Sequence, residues 1–152
     1  MEPETRDLQC KNILVVDDEP LIGIAFEREL GVEGYHVDSV LSAEAALQAV
    51  REKHYDLAFI DKILPKIDGV TACLWIKKFS PGTICIFMTG VFDIYNELEE
   101  VAFVYAGGTT YGLYKPFVRH QLLDVIQRAI EDERGKQDKG SRKDALGQEV
   151  TG

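Results

Sequence analysis

Ile13-Leu14-Val15-Val16-Asp17-Asp18 decides how this chain folds. Four aliphatic residues in a row, without polar alternation, read as a short strand buried on both faces. The run then stops at two carboxylates. The pattern recurs downstream: Leu57-Ala58-Phe59-Ile60 precedes Asp61, Ile84-Cys85-Ile86-Phe87-Met88 precedes Thr89, and Tyr111 to Tyr114 precedes Lys115. Strands buried on both faces belong to parallel sheets, whose strands are joined by crossover helices. In open α/β sheets, sites form outside the carboxyl ends of the strands. Asp17, Asp18, Asp61, Thr89 and Lys115 are therefore expected along one edge of one sheet.

The stretches between the runs fit helices. Pro20 to Leu30 places Leu21, Ile24, Ala25 and Leu30 at helical spacing, with Pro20 in the first turn and Gly31 and Gly34 at the end. Tyr35 to Val40 reads as a second strand, and Ser42 as the N-cap of a helix over Ala43 to Arg51. The third strand spans Tyr55 to Ile60. Pro65 and Asp68-Gly69 mark a turn before a helix over Val70 to Phe79, which Pro81-Gly82 separates from the fourth strand. Phe92 to Ala106 and Phe117 to Glu131 complete the set. Five strand–helix units with short links make a (βα)5, doubly wound, five-stranded parallel sheet with helices on both faces.

Composition bounds the function. The 152 residues suffice for one domain with a core. The net charge of −9 argues against direct nucleic-acid binding, which needs a basic face. No apolar stretch reaches membrane-span length, and Met1 to Gln9 is too polar for a signal peptide. The three cysteines, Cys10, Cys73 and Cys85, have no metal or redox spacing, so they read as thiols in a reducing compartment. His36, His54 and His120 are scattered and read as surface or structural residues.

The polar set at the strand ends suits a divalent cation together with a phosphoryl group. Adjacent carboxylates repel unless a cation lies between them, although an Asp-Asp pair after a strand is also an ordinary helix cap. Mg²⁺ prefers such hard oxygen ligands. Aspartate is a competent nucleophile. Thr89 offers a hydroxyl, Gly90 an approachable N–H and Lys115 a cation for phosphate oxygens.

Ile13 to Glu19, Asp61-Lys62-Ile63-Leu64-Pro65-Lys66-Ile67-Asp68-Gly69, Thr89-Gly90 and Lys115-Pro116-Phe117 together resemble the receiver domain of two-component response regulators. The resemblance implies a flavodoxin-like, CheY-like receiver over residues 11–131. A flexible segment (1–10) would precede it and a polar, disordered tail (132–152) would follow. It implies that Asp61 is the phosphoacceptor, served by a histidine kinase or histidine phosphotransfer protein in the cytoplasm. It also implies one Mg²⁺ on Asp18, Asp61 and the Ile63 backbone carbonyl, with Asp17 acting through water. Thr89, Lys115 and the backbone N–H groups of Lys62 and Gly90 would hold the phosphoryl group. The Lys115-Pro116 bond would be cis. A downstream protein partner, not identifiable from the sequence, would read the switch, and a homodimer through the fourth-helix, fifth-strand and fifth-helix face is a further expectation.

Some positions depart from the family pattern. Gly112 stands where such domains usually carry an aromatic switch residue, between Tyr111 and Tyr114. Strand alternation puts Tyr114 on the same side, so it either replaces that aromatic or the aromatic movement is absent. Phe92, Tyr95, Phe103 and Tyr105 lie in a lengthened segment after Thr89, partly core and partly surface. Ile63 and Val91 flank the expected attack path and cannot position water, which predicts slow loss of the phosphoryl group. Lys62 reads as a solvated lysine or a contact for the kinase. Three organisations stay open: a stand-alone phosphoacceptor, a receiver from a longer regulator, and an interaction module that works without phosphorylation.

Overall fold

The computed structural model describes residues 11–90 and 97–151, with side chains described over 11–90 and 98–136. Five strands form one parallel sheet: β1 (Asn12–Val16), β2 (His36–Val40), β3 (Leu57–Asp61), β4 (Ile84–Gly90) and β5 (Gly112–Lys115), in spatial order β2-β1-β3-β4-β5. The helices are α1 (Pro20–Gly31), α2 (Ala43–Glu52), α3 (Gly69–Phe79), α4 (Glu97–Tyr105) and α5 (Arg119–Thr151). This is the doubly wound flavodoxin-like arrangement that the apolar runs predict.

Strand alternation divides the core into two layers. Ile13, Val15, Leu57, Phe59, Ile86 and Met88 face one way and pack with Phe26 and Leu30 of α1 and Leu122 and Ile126 of α5. Leu14, Val16, Ala58, Ile60, Cys85 and Phe87 face the other way, against α2, α3 and Phe103 of α4. Burial on both faces explains why these strands carry no polar alternation.

Local signals act where the sequence places them. Ser42 Oγ accepts from the Ala45 N–H at 3.1 Å, and Asp68 Oδ1 accepts from the Thr71 N–H at 2.8 Å, capping α2 and α3. Pro20 opens α1, and Gly34 takes φ +92° just after it. Cys73 and Cys85 are buried free thiols; Cys10 lies outside the described residues.

The start of α4 lies outside the described residues, and α5 extends beyond its apolar pattern. The described part of α4 begins at Glu97, so Phe92 and Tyr95 lie outside the described residues. The apolar stripe of α5 ends near Ile130, and the helix continues to Thr151. Residues 132–151 contain no proline, and their glycines cost a helix only about 1 kcal/mol each.

Candidate functional site

The chain leaves β1 toward β2 on one side and returns to β3 on the other. The carboxyl ends of β1 and β3 thus flank a topological switch point, where open α/β sheets form crevices. Asp17 and Asp18 follow β1, and Asp61 ends β3. Carboxylate oxygens of all three lie within 4.8 Å of one another. Asp17 and Asp61 are buried, at 2% and 4% exposure, whereas Asp18 is exposed.

Lys115, at the end of β5, spans the gap. Its Nζ donates to Asp17 Oδ2 at 2.9 Å and lies 3.5 Å from Asp61 Oδ1 and 3.9 Å from Glu19 Oε1. Burial alone would lower the pKa of this ammonium. The hydrogen bond to Asp17 and the charges of Asp61, Asp17 and Glu19 outweigh burial and raise it. Asp61 moves up to about 6. Burial is the largest cause and the Asp17 charge the next, partly opposed by Lys115. One lysine does not neutralise three carboxylates, so the site carries surplus negative charge suited to a hard divalent cation.

Both oxygens of Asp17 are already engaged, because Oδ1 accepts from the Glu19 N–H at 2.9 Å. Asp18 and Asp61 are thus better placed than Asp17 to touch a cation directly. Glu19, which the sequence offers only as part of a motif, helps hold both Asp17 and Lys115. Its place beside the acidic pair is the signal that could have marked it. A Cβ on Gly69 would collide with the Asp61 backbone carbonyl, so glycine lets the start of α3 reach the end of β3.

Thr89 and Gly90 end β4, in register with Tyr114 and Lys115, so the hydroxyl, the N–H and the ammonium come to one edge. The Lys115-Pro116 peptide bond is cis. The Lys62 N–H donates to the Met88 carbonyl at 2.8 Å, so the sheet already uses a donor expected at the phosphoryl site. The Lys62 side chain is shielded from solvent, against the reading of a solvated lysine. It is 8% exposed, with Nζ 3.6 Å from Glu99 Oε2 on α4. Ile63 is exposed beside the site, and Val91 lies outside the described residues.

The face beyond Thr89 is open. A cavity of about 850 Å³ lies between α4, β5 and α5, bordered by Thr89, Val101, Phe103, Tyr111, Gly112 and Tyr114. Tyr114 is 60% exposed, and Arg128 stacks 4.0 Å from the Tyr111 ring centroid. A Cβ on Gly112 would lie 2.8 Å from the Phe87 carbonyl oxygen, so the tight approach of β5 to β4 favours glycine there. His36 and His54 sit beside Asp38 and Asp56, at 3.2 and 3.5 Å, and His120 is exposed. No helix among the described residues is long and apolar enough to cross a membrane.

Comparison with known proteins identifies the family of this fold. The model of the response regulator receiver domain matches residues 13–127. The probable transcriptional regulator ycf27 of Porphyridium aerugineum is 32% identical over 123 residues, which cover 81% of this chain and 49% of that protein. Response regulator ArlR of Staphylococcus aureus (strain Mu50) is 33% identical over 118 residues, covering 78% and 51%. The chain thus spans about half the length of these relatives. A CheY-like response regulator receiver domain protein from Methanospirillum hungatei JF-1 superimposes with a TM-score of 0.75 at 27% identity, covering 84% of this chain and 98% of that one. The chain belongs to the response regulator receiver domain family.

Proposed function

We propose that Asp61 accepts a phosphoryl group from a phosphohistidine in a Mg²⁺-dependent reaction, and that the modified chain changes its binding to a downstream protein. One observation carries this reading: three carboxylates meet within 4.8 Å, and the buried Asp61 lies 3.5 Å from Lys115. The donor set fits Mg²⁺, with Asp18, Asp61 and the Ile63 carbonyl as direct ligands and Asp17 acting through water. When bound, the cation neutralises charge that gathers between the carboxylate and the phosphoryl oxygens.

An Asp61 carboxylate oxygen attacks phosphorus, and the P–N bond of the phosphohistidine breaks. Its electron pair goes to the imidazole nitrogen. Such transfer depends on positioning and charge more than on covalent machinery. Lys115 turns from Asp17 toward the phosphoryl oxygens, Thr89 donates its hydroxyl, and Gly90 donates its N–H. Lys62 can add its N–H only by sharing the bond it makes to Met88. The chain acts as a signalling phosphoacceptor whose chemistry is confined to its own phosphorylation and slow dephosphorylation. Apolar Ile63 beside the site supports the slow step. A histidine kinase or histidine phosphotransfer protein supplies the group. Buried free thiols accord with a cytoplasmic setting.

Intact mass after incubation with acetyl phosphate and Mg²⁺ tests this reading. Wild type gains one phosphoryl group, Asp61→Asn gains none, and chelation prevents the gain. Equal labelling of both proteins would refute Asp61 as acceptor. The glycine at position 112 and the open cavity beside it favour one second reading, an interaction module that works without phosphorylation. Partner binding unchanged by phosphorylation would select it.

A further inference from the structure

The α4 helix presents two side chains inward, four residues apart and therefore on one face. Phe103 is 1% exposed and stacks on Phe87 of β4 with ring centroids 4.3 Å apart. A side chain on Gly108 would collide with that ring, so the chain beyond α4 closes around it. The Thr109 N–H then donates to the Cys85 carbonyl at 3.0 Å, tying the exit from α4 to β4. The other inward residue, Glu99, belongs to the first turn of the described helix and meets the Lys62 ammonium at 3.6 Å.

The outer side of α4 faces solvent. Leu98, Val101, Val104 and Tyr105 are exposed, and the cavity bordered by Thr89 and Gly112 lies between α4 and β5. The helix thus has a firm pivot at its carboxyl end, an ionic contact in its first described turn, and space beside it.

Lys62 is the residue that follows Asp61. Its ammonium is well shielded from solvent, while the Glu99 carboxylate is partly exposed. In the unmodified chain, Lys115 serves Asp17 and Asp61, and Lys62 meets Glu99. A phosphoryl group on Asp61 adds further negative charge and strong acceptor oxygens on the residue that precedes Lys62.

We propose that the Lys62–Glu99 ion pair is a latch that holds α4 to the end of β3, and that a phosphoryl group on Asp61 opens it by competing for the Lys62 ammonium. The proposal rests on the phosphoacceptor reading of Asp61 and gives that site a route to α4 that needs no aromatic at position 112. The latch is a two-state element biased by local charge. Opening it frees the first turn of the described helix to swing toward the cavity about Phe103.

Amide hydrogen exchange over residues 98–105 tests the latch, in wild type, Glu99→Gln and Leu98→Ala, with and without phosphorylation by acetyl phosphate and Mg²⁺. Glu99 is not itself one of the proposed phosphoryl-binding groups, so Glu99→Gln is expected to phosphorylate normally. Unphosphorylated Glu99→Gln should exchange about 5-fold faster than wild type in α4, the upper end for a partly exposed ion pair. It should match phosphorylated wild type, and its own phosphorylation should add nothing. Leu98→Ala, which trims an exposed neighbour, should not reproduce this. If wild type is phosphorylated but α4 exchange does not change, the latch is wrong and the phosphoacceptor reading survives. The latch also fails if Glu99→Gln behaves as wild type, or if phosphorylation still accelerates α4 equally in that variant. If wild type takes no phosphoryl group, both proposals fall.

Discussion

The two sides of Thr89 are built on different principles. On one side, β1, β3 and Lys115 form a buried set of charges in which each group fixes the next: Glu19 N–H on Asp17, Asp17 on Lys115, Lys115 beside Asp61. On the other side, α4 and β5 enclose a cavity, expose four large apolar side chains of α4 and bring Gly112 close to a backbone carbonyl. The first side has the over-determined geometry that a reaction requires. The second has the slack that a moving element requires. If Asp61 is the phosphoacceptor as proposed, chemistry and output meet at Thr89 with different mechanical character, and substitutions should separate them.

The largest effect is expected from removing the cation of the rigid side. Lys115→Met leaves Asp17 and Asp61 buried and without their ammonium. Taking one partner from a buried pair costs about 3 kcal/mol. Urea unfolding without divalent cations should show that loss, and Mg²⁺ should recover part of it by binding the folded form. A loss below about 1 kcal/mol would mean that the charges on this side are not mutually dependent.

Asp61→Asn should move stability the other way. The folded-state pKa of Asp61 is raised from its ordinary 3.8 to about 6, so the folded protein holds a proton that the unfolded chain releases between those values. Stability of the metal-free protein then falls as pH rises through that window. Replacing the carboxylate removes the penalty and should stabilise the metal-free protein by about 2 kcal/mol at pH 7. The gain should vanish below about pH 4. Mg²⁺ should raise the Tm of wild type more than that of the variant. Equal stability at pH 7 would show that Lys115 alone already balances the site.

Much of the rigid side was legible in the residues, because buried parallel strands must be apolar and their polar ends stand out. Asp17, Asp61 and Lys115 are found together because each interrupts an apolar run at a carboxyl end. Lys62 was not legible. Sequence shows a lysine beside an aspartate and leaves solvent as the default, whereas its partner Glu99 is far along the chain and becomes a neighbour only when α4 packs. The spent N–H of Lys62 escapes for a related reason: sequence does not show that the β3–β4 ladder continues one residue beyond Asp61. Gly112 was visible as a departure, but its physical reason, the nearness of the Phe87 carbonyl, depends on strand register. The end of α5 is hard to read from sequence, because an apolar stripe measures how much of a helix is packed, not how far the helix continues.

The smallest effect, and the sharpest test of the looser side, comes from Gly112→Ala. The added methyl would begin 2.8 Å from the Phe87 carbonyl oxygen, a backbone atom that cannot turn away as a side chain would. Either β5 shifts from β4 or Phe87 moves against Phe103. Overpacking of this kind costs about 1–3 kcal/mol. Alanine also restricts the unfolded chain, which returns about 0.4–1 kcal/mol. The net loss should therefore be about 1 kcal/mol. Gly31→Ala provides the contrast, because a Cβ there meets nothing within 4 Å, and its stability should hold or rise slightly. Phosphorylation by acetyl phosphate should survive Gly112→Ala, since Asp61 and Lys115 stay on the rigid side. If Gly112→Ala instead abolishes phosphorylation while the protein stays folded, the two sides of Thr89 are one mechanical unit, and the slack around α4 is not independent of the chemistry.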